Sequence, residues 1–218
     1  EAYQNENIDL QNYVNLTLTK IAFGGVFDHV GGGFSRYSVD DKWHVPHFEK
    51  MLYDNAQLVS LYSDAYLITK NPLYKEVVFE TLEFVKRELT NTNGTFYSSL
   101  DADSKTKTGE LEEGAFYVWQ VEDLKRLLAE DFYLFADYYN VNSYGLWEDN
   151  NYVLIRSDSD TVFNKKHSIS INELNKKKSV WKTILFKERA KRDRPRLDDK
   201  VLTSWNALMI KAYTDAYR

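Results

Sequence analysis

Residues 31–58 read GGGFSRYSVDDKWHVPHFEKMLYDNAQL, and this stretch decides the fold. Three consecutive glycines open it, and glycine permits backbone angles and close approaches that a Cβ atom would forbid. Aromatic and charged residues then alternate up to Pro46, a pattern that predicts an irregular hairpin lining a cleft. Because proline is favoured in the first turn of a helix, we expect the next helix to begin at Pro46.

The expected helix after Pro46 has two faces when its residues are placed at about 100° each. A broad apolar arc faces a core, and a narrower polar arc includes Lys50, Tyr53 and Asp54. His47 lies seven residues before Asp54 and therefore falls on almost the same line. A polar stripe on a mostly buried helix needs partners or a water-filled cavity, so this stripe marks a candidate site.

The composition indicates a globular chain and excludes several classes of function. Cysteine is absent from the 218 residues, which removes disulfides, thiolate zinc sites and thiol nucleophiles. The net charge of −5 offers no electrostatic reason to expect nucleic acid or an anionic membrane as a partner. No apolar run approaches the roughly 20 residues of a membrane span. The start at Glu1, without Met or a signal peptide, suggests a piece of a longer protein, which we expect to be cytoplasmic.

Helical periodicity dominates the rest of the chain. Asn71 and Pro72 predict the N-cap and first residue of a helix whose apolar residues recur every three or four positions. Strand-like alternation is confined to short pieces between helices, namely TFYSSLDADS, GELEEGAFYVWQ and NYVLIR. Further helices are expected over residues 8–30, 121–129, 131–139, 171–192 and from Asp199 to the end. This order predicts a mainly α fold of helical hairpins with short β-ribbons in the loops.

Four motifs carry a family resemblance. They are GGVFDHVGGGFSRYSVDDKWHVPHFEKMLYDNAQL (24–58), SLDADS (99–104), EEGAFYVW (112–119) and RPRLDDKVLTSWNALMIKA (194–212). In this order they strongly resemble the family of spermatogenesis-associated protein 20 and its bacterial YyaL-like relatives. The resemblance extends from about Ile21 to the C-terminus.

The resemblance implies a fold more firmly than a reaction. Members of that family carry a thioredoxin-like domain with a cysteine motif, followed by an (α/α)6 barrel similar to the N-acylglucosamine 2-epimerases and six-hairpin glycosidases. This chain has no cysteine and no thioredoxin-like segment, so no redox chemistry is carried over. Its length fits about half of such a barrel, so we expect residues 1–218 to form a single domain, a partial (α/α)6 toroid. Half a toroid exposes inner-helix surface, so we also expect the chain to self-associate or to be marginally stable.

His47 and Asp54 are the first catalytic candidates. Histidine titrates near neutrality and suits general acid/base work, and Asp54 would orient it or bind a sugar hydroxyl. The alternative is a helix whose polar residues merely bond neighbouring loops.

Asp101 and Glu113 are the second pair of catalytic candidates. Asp101 and Asp103 are two apart on a strand-like segment and are expected to point to the same side. Glycoside hydrolysis requires paired carboxylates about 5–10 Å apart. The alternative is that both aspartates organise the turn before Ser104. Glu113 of the EEGAFYVW motif is a comparable candidate.

Substrate-binding candidates come from the loop, the polar arc and the last motif. Helix capping sufficiently explains at least one of the acidic residues that open the last helix. The DDK…SWN pattern recurs in the resembled family, however, and this resemblance favours a binding role for Asp199, Trp205 and Asn206. The candidates from all three regions are Arg36, Tyr37, Trp43, Lys50, Tyr53, Asp199, Trp205 and Asn206.

No metal or cofactor is predicted. His44 and His47 would need a third zinc ligand from His29 or a carboxylate, and Pro46 lies between them. The three glycines are not followed by GxGxxG or by Lys-Ser/Thr, so they do not predict a phosphate cradle. The basic run KERAKRDRPR is broken by acidic residues and indicates a solvated face.

Two functions remain open from the sequence. The first is acid/base chemistry on a sugar or sugar derivative, epimerase-like or glycosidase-like, in an aromatic-lined pocket. The second is a non-catalytic helical scaffold that docks a thioredoxin-like domain or a client protein.

Overall fold

The computed structural model describes residues 6–218, and α-helices joined by long loops make up most of it. Among the described residues, no helix is both long enough and apolar enough to cross a membrane. The α-helices are α1 (Ile8–Phe23), α2 (Leu52–Thr69), α3 (Pro72–Glu88), α4 (Val121–Leu128), α5 (Phe132–Tyr138), α6 (Asp160–His167), α7 (Ile171–Arg189) and α8 (Thr203–Tyr217).

Short antiparallel strands connect the helices, which confirms the mainly α class with β-ribbons in the loops. Three ribbons are strand pairs, and one small sheet has three strands in the order β3-β4-β9. The strands are β1 (Tyr37–Ser38), β2 (Pro46–His47), β3 (Lys50–Met51), β4 (Ser99–Leu100), β5 (Asp103–Lys105), β6 (Leu111–Glu113), β7 (Trp119–Gln120), β8 (Asn151–Tyr152) and β9 (Leu197–Asp198). β1 pairs with β2, β5 with β6 and β7 with β8.

Two main hydrophobic cores organise the helices. In the first, α2 packs against α3 and α8, with Leu52, Val59 and Met209 fully buried. In the second, α4, α5 and α7 surround Phe135 and Trp181. Burying such side chains is the main favourable contribution to folding. The three-stranded sheet lies at the entry of α2 and α8 and therefore sets how those two helices begin.

Two helix starts differ from the sequence prediction. α2 begins at Leu52 rather than Pro46, because residues 46–51 form β2 and β3, and Lys50 pairs with Leu100. Proline suits a strand edge as well as a helix start, since both tolerate the missing N–H. The helical alignment of His47 with Asp54 was therefore wrong. The last helix begins at Thr203, so Asp199 does not cap it. Asp198, the residue before Asp199, lies in β9.

The glycine run behaves as predicted. Gly32 and Gly33 have φ angles of +74° and +79°, in the left-handed region that favours glycine. A Cβ on Gly32 would lie 2.3 Å from the carbonyl oxygen of Glu80, and one on Gly33 would lie 2.3 Å from the Phe84 ring. These glycines therefore let the loop lie directly on α3.

A buried ion cluster holds this loop in place. The Asp28 carboxylate accepts hydrogen bonds from Lys50 Nζ at 2.8 Å and from both terminal nitrogens of Arg189 at 2.9 Å. Lys50 Nζ also donates to the carbonyl of Gly32 at 2.8 Å. Burial alone would raise the pKa of Asp28, but Arg189 and Lys50 hold it well below its ordinary value. Burial lowers the pKa of Lys50 to about 8, against the attraction of Asp28.

His29 is a buried neutral histidine beside this cluster. Its Nε2 lies 3.2 Å from the carbonyl oxygen of Phe23, and its ring packs against Phe27 and Tyr139. Burial, followed by repulsion from Arg156 and Lys182, lowers its pKa from 6.5 to about 3. The folded state therefore cannot take up the proton that the unfolded chain binds below about pH 6.5.

We predict that the difference between the pKa of His29 in the folded and in the unfolded chain destabilises the fold as the pH falls. Between pH 7 and pH 5 the wild type should lose about 2 kcal/mol more unfolding free energy than His29→Gln, measured by urea denaturation. Identical pH dependence in the wild type and His29→Gln would contradict the prediction.

Candidate functional site

The β1–β2 hairpin presents the central histidine of the site. Tyr37 of β1 is paired in register with His47 of β2. Their rings stack at a centroid distance of 5.0 Å with an interplanar angle of 20°. Cross-strand neighbours on one face of a ribbon interact directly, so the hairpin register fixes the orientation of the imidazole.

Two carboxylates flank His47. Nδ1 lies 2.7 Å from Glu113 Oε1, and Nε2 lies 3.8 Å from Glu49 Oε2. Glu113 comes from β6, 66 residues away in the chain, and the fold therefore brings two of the predicted catalytic residues together. The His47 side chain is 28% exposed, so the imidazole is held by partners yet open to solvent.

Glu49 is a site residue that the sequence reasoning missed. It lies two positions after His47, and in an extended segment such residues point to the same side. Assigning residues 46–51 to a helix hid this relation, because a helix turns such a pair about 200° apart. Recognising residues 46–51 as extended rather than helical would have found it.

Arg36 connects the Glu49 carboxylate with the aromatic residues of the site. Its Nη1 donates to Glu49 Oε2 at 3.2 Å, and its backbone N–H donates to the Glu49 carbonyl at 2.8 Å. Interactions with Tyr53 and then with Glu49 raise the pKa of Arg36. The Tyr53 ring meets Trp205 of α8 edge-on at 4.7 Å. Of the predicted binding residues, Tyr37 contacts His47 directly, whereas Arg36, Tyr53 and Trp205 follow one another in a chain of contacts that starts at Glu49.

Asp54 supplies the site with a perturbed carboxyl group. It lies in the first turn of α2, and burial raises its pKa to about 6, with Arg36 opposing and Glu49 adding to the rise. Among the described residues its Oδ2 is buried without a hydrogen-bond partner. A carboxyl group that titrates near neutrality can donate a proton in one step and accept one in another.

Three predicted residues take other places in the fold. Lys50 is almost fully buried in the Asp28 cluster and does not line the site. Trp43 has a φ of +60°, and its carbonyl accepts the N–H of Gly25 at 2.7 Å. Asp101 accepts the N–H of Ala102 at 2.8 Å through its own side chain, as the turn interpretation expects.

The expected pairing of Asp101 with Asp103 on one strand was wrong. β5 begins at Asp103, so Asp101 lies outside it, in a segment whose N–H bonds Arg196 instead. Asp103 stands directly opposite Glu113 in the β5–β6 register. Asp103, rather than Asp101, is therefore the aspartate of this segment that is paired with a site residue.

The C-terminal motif contributes one side chain to the site. Asp199 is exposed between β9 and α8. Asn206 acts structurally, because its amide accepts the N–H of Phe96 at 2.8 Å and donates to the Phe96 carbonyl at 2.9 Å. These two bonds tie α8 to the segment before β4 and position Trp205 beside the site.

Over residues 6–218, no group of three or more histidines or carboxylates is arranged to hold a metal ion. His44 and His47, the pair considered for zinc, stack on different rings, Tyr144 and Tyr37.

The raised pKa of Asp54 is directly testable. We predict a carboxyl titration near pH 6 in ¹³C NMR of the folded protein, lost in Asp54→Asn. Arg36→Gln should raise this pKa further, because it removes a cation, and Glu49→Gln should lower it, because it removes an anion. Shifts of the same sign in both variants, or a midpoint near the ordinary value of 3.8, would contradict the prediction.

Comparison with known proteins confirms the family resemblance. No family model matches the chain. Human spermatogenesis-associated protein 20 is 38% identical over 90% of this chain, and the mouse protein of the same name is 35% identical over 90%. An uncharacterized protein of Caenorhabditis elegans is 37% identical over 93%. The chain spans about three-tenths of the length of these curated relatives, from 28% to 30%.

A solved structure of D-mannose isomerase aligns with 97% of this chain and 47% of its own, at a TM-score of 0.36 and 15% identity. These values are too low to support an argument about fold or activity. The relatives, by contrast, match nearly the whole chain at more than a third identity. The chain therefore belongs to the family of spermatogenesis-associated protein 20, of whose members it matches a segment.

Proposed function

We propose that this chain forms part of an (α/α)6 toroid that carries out acid/base chemistry on a carbohydrate. The observation that carries the proposal is the His47 imidazole, held between Glu113 and Glu49 and stacked on Tyr37 at an open surface. An imidazole oriented by a carboxylate at one ring nitrogen is a recurring proton-transfer arrangement.

The contacts of His47 suggest how it works. Glu113 engages Nδ1 at 2.7 Å, so it stabilises the tautomer with hydrogen on Nδ1. Within residues 6–218, Nε2 has only the more distant Glu49 as a partner, and it is the nitrogen that exchanges a proton with the substrate. Arg36 offers guanidinium donors to substrate hydroxyl or carbonyl oxygens, and the Tyr53 and Trp205 rings offer apolar faces.

Between the two reactions, the contacts favour the isomerase or epimerase type. Proton transfer next to a carbonyl needs one base, and His47 supplies it. Glycoside hydrolysis needs a protonated acid and a separate carboxylate. Asp54 would serve as the acid, but Glu49 and Glu113 are already engaged by His47 and Arg36. We therefore place the hydrolytic reaction second.

The decisive experiment compares two histidines in similar surroundings. His47 and His167 are 28% and 26% exposed and each lies within 2.7 Å of a carboxylate, but only His47 belongs to the site. With a panel of sugars and sugar phosphates in D₂O, we predict deuterium incorporation next to the carbonyl. His47→Gln should reduce the rate about 100-fold or more, and His167→Gln should leave it unchanged.

Because the chain covers only 28% of the human relative, the same panel should also be run on full-length human spermatogenesis-associated protein 20. Saturation-transfer NMR reports sugar binding independently of turnover. Absence of sugar binding in both proteins, together with tight binding to a thioredoxin-like domain, would replace this proposal with the scaffold alternative. Release of a free sugar from a glycoside without deuterium exchange would favour hydrolysis.

A further inference from the structure

A cleft that shares no lining residue with the site around His47 lies between the C-terminal ends of α3 and α7. Its volume is about 340 Å³. Three guanidinium groups and two phenyl rings dominate its walls. The lining residues are Arg87, Glu88, Phe116, Phe186, Arg189, Ala190 and Arg194.

The two solvent-reaching arginines are positioned differently. Arg87 is anchored, because Nη2 donates to the Gly31 carbonyl at 2.6 Å and its guanidinium lies 4.7 Å from the centre of the Phe186 ring. Arg194 has a side chain that is 50% exposed, and its guanidinium lies 5.7 Å from the centre of the Phe116 ring. Glu88 accepts hydrogen bonds from both arginines and is the carboxylate between them.

Positive charge exceeds negative charge around the cleft. Four cations meet two carboxylates in the contacting set Lys50, Arg87, Arg189, Arg194, Asp28 and Glu88. The formal excess is therefore two positive charges. Glu83 also attracts Arg87, and counting it still leaves an excess of one. A local positive excess in a chain of net charge −5 is the electrostatic condition for holding an anion.

We propose that this cleft binds a phosphate monoester attached to a ring. The phosphate would lie between Arg87 and Arg194, since guanidinium forks match phosphate oxygens and a dianion balances the excess charge. The ring would pack against Phe116 and Phe186, which form the apolar walls. The half-exposed Arg194 is free to exchange its bond with Glu88 for one with the ligand, whereas Arg87 keeps its anchor on Gly31.

The proposal does not depend on sugar chemistry at His47, and its test is separate. Isothermal titration of the whole chain with phenyl phosphate and with inorganic phosphate, at a pH at which both are dianions, compares ligands of equal charge that differ by a ring. We expect phenyl phosphate to bind more tightly, and Phe186→Ala to remove that difference. No binding of either ligand by the wild type would overturn the proposal.

Charge variants locate the phosphate. Arg194→Gln should weaken phenyl phosphate binding about tenfold or more, because a charge-assisted hydrogen bond is lost. The matched control Arg126→Gln alters an arginine of α4 that is 58% exposed and paired with Asp123 and Glu188, outside the cleft, and should bind as the wild type does.

Glu88→Gln distinguishes a loss of phosphate contacts from damage to the fold. Removing the competing carboxylate should strengthen phenyl phosphate binding several-fold, a gain that a damaged fold would not produce. Circular dichroism spectra of each variant verify that it is folded. Equal affinity in the wild type, Arg194→Gln and Glu88→Gln would show non-specific anion binding and contradict the assigned site.

Discussion

The buried carboxylate of Asp28 is the constraint on which the rest of the structure depends. It accepts hydrogen bonds from Lys50 just before α2 and from Arg189 at the end of α7. Removing charges from water is costly, and only a well-bonded cluster offsets the loss. Asp28 meets that requirement, because each of its carboxylate oxygens receives at least one charged donor. Segments up to 161 residues apart are thereby tied to one point.

The site geometry follows from that attachment. Lys50 also bonds the Gly32 carbonyl, which holds the glycine run against α3. The buried side chain of Asn55 then accepts the N–H of Phe34 at 2.7 Å and donates to its carbonyl at 3.0 Å. With the loop held from two sides, the β1–β2 hairpin leaves in one direction and delivers His47 toward Glu113. The candidate proton-transfer residue is therefore oriented by loops that a buried ion cluster holds in place.

The sequence predicted most helices because their signals are local. Asn71 caps α3 and Pro72 opens it, as side-chain capping and a missing N–H require. The strands were harder to predict, since two-residue ribbons have too few positions to show a period. Pro46 misled for the same reason, because its local chemistry suits a helix start and a strand edge equally. Pro46 pairs with Ser38 of β1, and this pairing depends on the tertiary structure rather than on the local sequence.

The sequence by itself determined the family and the helical class, and it named several of the residues that the fold brings together around His47, because the motifs and the 3.6-residue period are properties of neighbouring positions. It pointed to His47, Glu113, Arg36 and Tyr37 as members of one site, but it could not pair them. The tertiary structure decided that Glu113 reaches His47, that Lys50 lies in the core rather than the site, and that Asn206 holds the segment before β4. Those outcomes depend on contacts between residues far apart in the chain, and no local pattern records such contacts.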